Sequence, residues 1–157
     1  MRRSKAEIYL HFVWATHQRQ PLVTPEVEAA LYGCLVGEAQ RLGCDVLAIG
    51  GMPDHVHVAV QMPTRVSAAQ LMQRMKGVSS AYARRELLPD QPFGWQDNYA
   101  VFSLSRPHRR RVVAYIRGQK QHHAAGTLWP EWEETDEDAP LRASAPPAAA
   151  ESGGMEA

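Results

Sequence analysis

An amphipathic helix with strand-like runs on both sides constrains the fold of this chain most strongly. Thr24 followed by Pro25 is typical of a helix start, because threonine can cap the first turn and proline tolerates its first position. Apolar residues then recur at helical spacing up to Gly43, at Val27, Leu31, Cys34, Leu35 and Leu42. Residues 7–14 form a predicted strand, and 45–50 and 55–61 a predicted hairpin around the turn GMPD.

The second half of the chain continues this alternation. Ser67 is a predicted cap of a second helix, whose Leu and Met residues recur at helical spacing and which ends before Pro89. AVFSL at 100–104 is a fourth predicted strand, and Ser105 begins a third predicted helix over about 106–125. The order β-α-β-β-α-β plus a C-terminal helix predicts a ferredoxin-like α+β fold, with an antiparallel sheet and two helices on one face.

Charge divides the chain into a basic part and an acidic part. Residues 1–132 contain 16 Lys and Arg against 10 Asp and Glu, whereas residues 133–157 contain one against seven. The acidic part is also rich in Ala, Pro, Ser and Gly and cannot bury enough apolar surface to order itself. We therefore predict one domain over 1–132 and a disordered tail over 133–157. A basic domain favours a nucleic-acid partner, although a solvated helix face would give the same balance.

The sequence gives no sign of a membrane segment. No apolar run reaches the roughly 18 residues needed to span a bilayer, and the N-terminal residues lack the apolar core and cleavage site of a signal peptide. Cys34 and Cys44 lie ten residues apart and are predicted to be reduced thiols. These features predict a cytoplasmic protein.

Two histidines in the third predicted strand are candidate metal ligands. His55 and His57 are two residues apart, so both side chains point to one face of the sheet while Val56 and Val58 point to the other. Two neighbouring imidazoles can share one metal ion when oxygen ligands complete the site. Taken alone, the pair is also typical of two surface histidines on a half-exposed strand.

Tyr115 and Gln119 share one face of the third predicted helix, since they are four residues apart. By itself this pattern also describes an ordinary amphipathic helix. The two constellations fit together chemically, because a phenol with a pKa of ~10 needs a nearby cation to become a good nucleophile. His55, His57 and the amide oxygen of Gln119 would give a metal three protein ligands. Attack by Tyr115 on a phosphodiester would conserve bond energy, so we expect no nucleotide cofactor.

Four segments taken together resemble the single-tyrosine HUH transposases of small insertion sequences, the TnpA type of the IS200-like family. They are PDHVHV at 53–58, KGVSS at 76–80, WQDNYAVFSLS at 95–105 and YIRGQKQHH at 115–123. The resemblance covers about residues 5–132. It implies Tyr115 as nucleophile, Mg or Mn on His55, His57 and Gln119, and cleavage of single-stranded DNA with hairpin ends through a 5′-phosphotyrosine. It also implies a homodimer in which the tyrosine helix of one subunit serves the histidine pair of the other.

Basic side chains are the predicted DNA contacts, since the guanidinium group suits phosphate. They are Arg74, Lys76, Arg106, Arg109, Arg110, Arg111 and Arg117. Several alternatives stay open at this point: a rolling-circle or mobilisation nickase, a domesticated repeat-associated tyrosine transposase, or a structural protein with a chance histidine pair. A non-catalytic hairpin-binding module, with Trp95, Tyr99 and His108 stacking on bases, is a further one.

Overall fold

The computed structural model describes residues 4–133. It contains four strands and five α-helices, which are β1 (Ile8–Ala15), α1 (Pro25–Arg41), β2 (Asp45–Met52), β3 (His55–Met62), α2 (Ala68–Tyr82), β4 (Ala100–Leu104), α3 (Arg109–Arg117), α4 (Gln119–Ala125) and α5 (Pro130–Glu133). Short 3₁₀ turns cover His17–Arg19 and Arg106–His108, and a π-helical turn at Ala83–Leu87 extends α2. None of the helices in these described residues is long and apolar enough to cross a membrane.

The strands form one antiparallel sheet in the order β2-β3-β1-β4. This is the strand order of a ferredoxin-like fold, with α1 and α2 packed against each other and against the sheet. The predicted fold class is therefore confirmed. Ser67 caps α2 as predicted, in a reciprocal capping box with Gln70.

Side-chain alternation on β3 divides its residues between the two faces of the sheet. Val56 and Val58 are fully buried in the main core, together with residues of α1 and α2. Burial of such a side chain stabilises the fold by about 1.5–3 kcal/mol. His55 and His57, one residue out of phase, point to the opposite face. The core that holds β3 in place thus fixes the direction of both histidines.

Helix α3 packs on the histidine face of the sheet. Val112 and Ile116 form a second small core with Ala48 and Ala59. The helix backbone comes so close to β2 that a Cβ atom at Gly50 would collide with the main-chain oxygen of Ile116. A glycine at this position is what allows the approach. Small residues on the sheet therefore set how near α3 lies to the histidines.

The prediction of one continuous helix over about 106–125 is wrong. The segment consists of a 3₁₀ turn, then α3, then α4, and the break falls at Gly118, which has φ −94° and ψ 16°. Glycine lowers the cost of leaving helical geometry. The change of direction brings Gln119, the first residue of α4, toward the sheet, where it is 1% exposed.

Residues of the KGVSS segment anchor the loop before β4. The Lys76 ammonium donates to the carbonyl oxygens of residues 96–98 at 2.5–3.1 Å, and the Trp95 indole donates to Ser79 Oγ at 2.9 Å. The Gln96 side chain in turn accepts a hydrogen bond from the main chain of Ala15, at the end of β1. The KGVSS and WQ segments, which are separated in sequence, are thus in direct contact in the structure.

Replacement of Lys76 by methionine is expected to lower the free energy of unfolding by about 2 kcal/mol, because three carbonyl oxygens lose a charged donor. Urea denaturation followed by fluorescence measures this. Lys5→Met is the matched control, since the Lys5 side chain is 84% exposed and its ion pair with Glu7 spans 4.0 Å. That variant should change stability by less than about 0.5 kcal/mol. Equal stability of the two variants would contradict the anchoring role.

The predicted tail beginning at residue 133 lies almost wholly outside the described residues. Glu133 is the exception, since it is the last residue of α5. Its neighbour Trp132 is half-buried and packs on the second core, so Glu133 is attached to the domain. Residues 134–157 lie outside the described part of the chain.

Candidate active site

His55 and His57 lie side by side on the face of the sheet covered by α3, α4 and α5. Their ring centroids are 5.1 Å apart, and the residues are 3% and 0% exposed. This burial excludes the interpretation of the pair as surface histidines. The Nε2 atoms of both rings face the same carboxylate, that of Glu133, at 3.0 Å from His55 and 3.3 Å from His57.

The Nδ1 atom of each histidine has its own partner. His55 Nδ1 lies 2.8 Å from Asp54 Oδ1, and His57 Nδ1 lies 2.9 Å from Nε2 of His11 on β1. Burial opposes protonation of His55, but the hydrogen bonds with Asp54 and Glu133 outweigh it and raise the pKa of His55 to about 9. Burial lowers the pKa of His57, and burial followed by the nearby His57 lowers the pKa of His11 to about 3. His11 is therefore a neutral imidazole.

Tyr115 projects from α3 toward this pair, and its ring centroid is 5.9 Å from that of His57. Its hydroxyl donates a hydrogen bond to Glu133 Oε1 and accepts one from the main-chain N–H of Trp129 at 3.2 Å. The ring stacks on His122 at 4.8 Å. Burial, followed by the Glu133 hydrogen bond, raises the pKa of Tyr115 to about 12, so this arrangement holds the phenol protonated.

The Gln119 side chain lies beside the histidine pair. Its Oε1 atom lies 3.3 Å from His55 Nε2 and 3.1 Å from His123 Nε2, and its amide donates to Glu133 Oε1 at 3.2 Å. A side-chain oxygen thus adjoins the histidine pair. The use of that oxygen as a metal ligand stays a prediction.

Glu133 is a site residue that sequence reasoning missed, because its position opens an acidic segment assigned to a disordered tail. Its carboxylate contacts the histidine pair, Tyr115 and Gln119 at once, and its side chain is 15% exposed. Burial opposes ionisation, but hydrogen bonds from His55 and His57 outweigh it and place the pKa of Glu133 far below its usual range. The signal for an ordered segment was the pair Trp129 and Trp132 just before it, which stack on each other at 4.2 Å.

The donor set fits a divalent cation. One ligand atom each from His55, His57 and Glu133 lie within 4.8 Å of one another, and Gln119 adds an amide oxygen beside them. Mixed imidazole and oxygen ligands suit first-row and Mg-like divalent ions. A cleft of about 770 Å³ lined by Arg19, Asp54, His55, His123 and Glu133, among others, opens onto the site.

All of these groups belong to one chain. Tyr115 lies at the histidine pair of its own chain, whereas the resemblance implied that the tyrosine helix serves the other subunit. The described chain thus brings the candidate nucleophile and the candidate ligands together without a second copy. Sharing of the site between two subunits stays a prediction.

The basic residues predicted to contact DNA have different surroundings. Arg109, Arg110 and Arg117 line a common cleft between α3 and Leu47 of β2, and Arg109 also donates to the Tyr9 hydroxyl at 3.0 Å. Arg111 lies over the Trp129 ring at 4.6 Å. The remaining three form contacts inside the chain, which are Arg74 with Glu38 at 2.7 Å, Arg106 with Glu7 at 3.5 Å and Lys76 with the loop carbonyls.

Base stacking by Trp95, as a hairpin-binding module would use it, does not agree with the structure. Trp95 is 8% exposed and packs edge-on against Trp14 and Phe93 in the main core. A base cannot reach a ring that is covered in this way. The basis for the purely binding alternative is thereby weakened.

The sequence matches known transposases over most of its length. A family model described as Transposase IS200 like matches residues 4–119. The chain is also similar to the ISDra2 transposase TnpA of Deinococcus radiodurans, with 24% identity over 127 residues that cover 76% of this chain and 91% of that protein.

Solved structures share the fold. A crystal structure of a candidate transposase from Deinococcus radiodurans R1 has a TM-score of 0.61 at 24% identity and covers 76% of this chain and 98% of its own. A REP-associated tyrosine transposase bound to a REP hairpin has a TM-score of 0.58 at 16% identity, with coverages of 83% and 79%. Because the family model spans well over half of the 157 residues, the chain belongs to the IS200-like transposases, a family of DNA-cleaving enzymes.

Proposed function

We propose that this transposase cleaves and rejoins single-stranded DNA through a covalent 5′-phosphotyrosine on Tyr115, with Mg²⁺ or Mn²⁺ as its metal. One observation carries the proposal: the Glu133 carboxylate touches the Nε2 atoms of His55 and His57 and the hydroxyl of Tyr115 together. Its oxygens occupy a place where phosphate oxygens would meet both the nucleophile and the candidate ligands.

His55, His57 and the amide oxygen of Gln119 would hold the metal. When bound, the ion supplies positive charge that stabilises a phenolate and the charge on a phosphate. In the proposed step the Tyr115 oxygen bonds to phosphorus and the bond from phosphorus to the 3′ oxygen breaks. The proton lost by Tyr115 balances the proton gained by the departing 3′ hydroxyl. One P–O bond replaces another, so rejoining needs no nucleotide cofactor.

The hydrogen bond between Tyr115 and Glu133 must open before this reaction. It keeps the phenol protonated, and the carboxylate fills space that the phosphate needs. Glu133 lies on a helix of only four residues at the edge of the cleft, which leaves few backbone hydrogen bonds to be broken when it moves.

A denaturing gel tests the proposal. Purified protein is incubated with Mn²⁺ and labelled single-stranded oligonucleotides carrying the hairpins that flank its gene, and a metal-dependent, SDS-resistant adduct is expected. Fully duplex DNA of the same sequence is the control and should give none. Tight hairpin binding without an adduct under any metal would instead favour a protein that only binds DNA.

Hairpin DNA is the substrate that the structural likeness supports, since one solved relative is bound to a REP hairpin. The same relative makes a domesticated, repeat-associated transposase the second candidate. The two candidates differ in the DNA they process: the ends of a mobile element that contains the gene, or hairpin repeats scattered elsewhere in the genome. Adduct assays with both kinds of oligonucleotide separate them.

We also propose a homodimer, which sedimentation equilibrium would test.

The cleft formed by Arg109, Arg110 and Arg117 is the proposed path of the DNA backbone. Arg110 and Arg117 are exposed, so their replacement by alanine should weaken binding without loss of stability. The slope of log Kd against log salt should fall by about 0.7 for each phosphate contact removed on single strands.

Fluorescence anisotropy over a salt series measures this slope. Arg85→Ala is the matched control, because Arg85 is exposed and follows α2, on the other side of the sheet. Its slope should equal that of the unaltered protein. An unchanged slope in the double variant would exclude this cleft as the DNA path.

A further inference from the structure

His11 is a fully buried polar residue at the centre of the sheet that the reaction described above does not use. It lies on β1 opposite Ala59 of β3, and Val13, two residues on, pairs with His57. The His11 and His57 rings are close to parallel, with centroids 5.2 Å apart and planes inclined by 26°. A hydrogen bond of 2.9 Å joins His11 Nε2 to His57 Nδ1.

A buried imidazole needs a specific reason to be retained, because an apolar residue would be less costly there. The second nitrogen of His11, Nδ1, has no hydrogen-bond partner among the described residues. The hydrogen bond to His57 is therefore the only one that the His11 ring makes among the described residues. That bond involves the Nδ1 atom of His57, whereas the other ring nitrogen, Nε2, faces the Glu133 carboxylate.

The two candidate histidine ligands thus have different supports. The Asp54 carboxylate beside His55 can only accept a hydrogen bond, whereas a neutral imidazole can donate or accept. His57 Nε2 must carry a proton to donate to Glu133, but must present its lone pair to bind a metal. Its Nδ1 atom is an acceptor in the first case and a donor in the second. His11 can satisfy both.

We propose that His11 is a positioning residue, which holds the His57 ring in place with and without metal by hydrogen-bonding its Nδ1 atom in either neutral form. The inference rests on the metal site of the proposed function. Partners of this kind orient ligating histidines, and their loss typically weakens metal affinity by about 10–100-fold.

The test measures Mn²⁺ binding by isothermal titration calorimetry on the full chain. His11→Leu keeps an apolar filling but loses the hydrogen bond, and should raise the Kd by roughly 10–100-fold. His11→Gln is the matched variant, because its amide offers both a donor and an acceptor near the position of Nε2. It should restore the Kd to within roughly fivefold of the unaltered protein. Melting temperatures without metal are recorded for all three.

Each outcome decides a different point. Equal Mn²⁺ affinity in His11→Leu and the unaltered protein would overturn the role of His11 alone. Equal weakening in both variants, together with a lower melting temperature, would reduce His11 to a packing residue. If the unaltered protein took up no Mn²⁺, the metal site itself would fail. Should His11→Leu not fold, NMR of the unaltered protein remains, where a coupling between His11 Nε2 and His57 Nδ1 across the hydrogen bond is expected and its absence would refute the contact.

Discussion

Tyr115→Phe is expected to abolish the covalent protein–DNA adduct and to lower the cleavage rate by at least about 10³-fold, since removal of the proposed nucleophile leaves no covalent path. The substitution removes one oxygen atom. The phenylalanine ring can keep the stacking on His122 and the contact with Trp132, whose ring centroid is 5.1 Å away. Hairpin affinity should therefore stay within about threefold of the unaltered value. Adduct formation on a denaturing gel and binding by anisotropy measure the two quantities.

Tyr82→Phe serves as the control for loss of a tyrosine hydroxyl. Tyr82 ends α2, on the opposite face of the sheet from Tyr115. Its adduct yield should equal that of the unaltered protein. A persistent adduct in Tyr115→Phe would assign the nucleophile to another residue, and parallel loss of hairpin binding would point to damage of the fold rather than of the chemistry.

His57→Ala is expected to remove metal binding, and the adduct with it. His57 is fully buried, and its Nε2 atom lies 3.3 Å from the Glu133 carboxylate, beside the other candidate metal ligands. A metal present at 100 times its Kd stabilises the folded state by about 2.7 kcal/mol. Saturating Mn²⁺ should therefore raise the melting temperature of the unaltered protein by several degrees and leave that of His57→Ala unchanged. Differential scanning fluorimetry with and without Mn²⁺ measures the shift.

The comparison within each variant separates metal binding from stability, because a buried His57→Ala change also leaves a cavity. His17→Ala is the control, since His17 is exposed and lies outside the site. It should retain the full Mn²⁺-induced shift. An undiminished shift in His57→Ala would place the metal elsewhere.

Local patterns predicted most of the fold. Alternation on β3 correctly placed Val56 and Val58 in the core and the histidines on the other face. The boundaries of β4 and the Ser67 cap also agree with the structure. These features depend on residues close in sequence, so periodicity and capping chemistry determine them.

The parts that could not be predicted depend on contacts between distant residues. Helix α3 ends at Gly118 and a new helix follows, which places Gln119 against His55 on β3, 64 residues away. His11 had no distinguishing neighbours in sequence, since only strand pairing brings it beside His57. The anchoring contacts of Lys76 could not be predicted either, because their carbonyl partners lie about 20 residues further on. Composition assigned Glu133 to the tail, although the two tryptophans before it attach it to the domain.

The position of Glu133 affects how a shortened form of this protein would behave. The change in charge after residue 132 suggests a shortened protein that ends there. Such a protein would lose the carboxylate that contacts the histidine pair and Tyr115. Without that contact the phenol would lose a hydrogen bond that raises its pKa, and the two histidines would lose their shared anionic partner. Rates measured on the trimmed and untrimmed proteins would then describe two different active sites, even if both proteins folded identically.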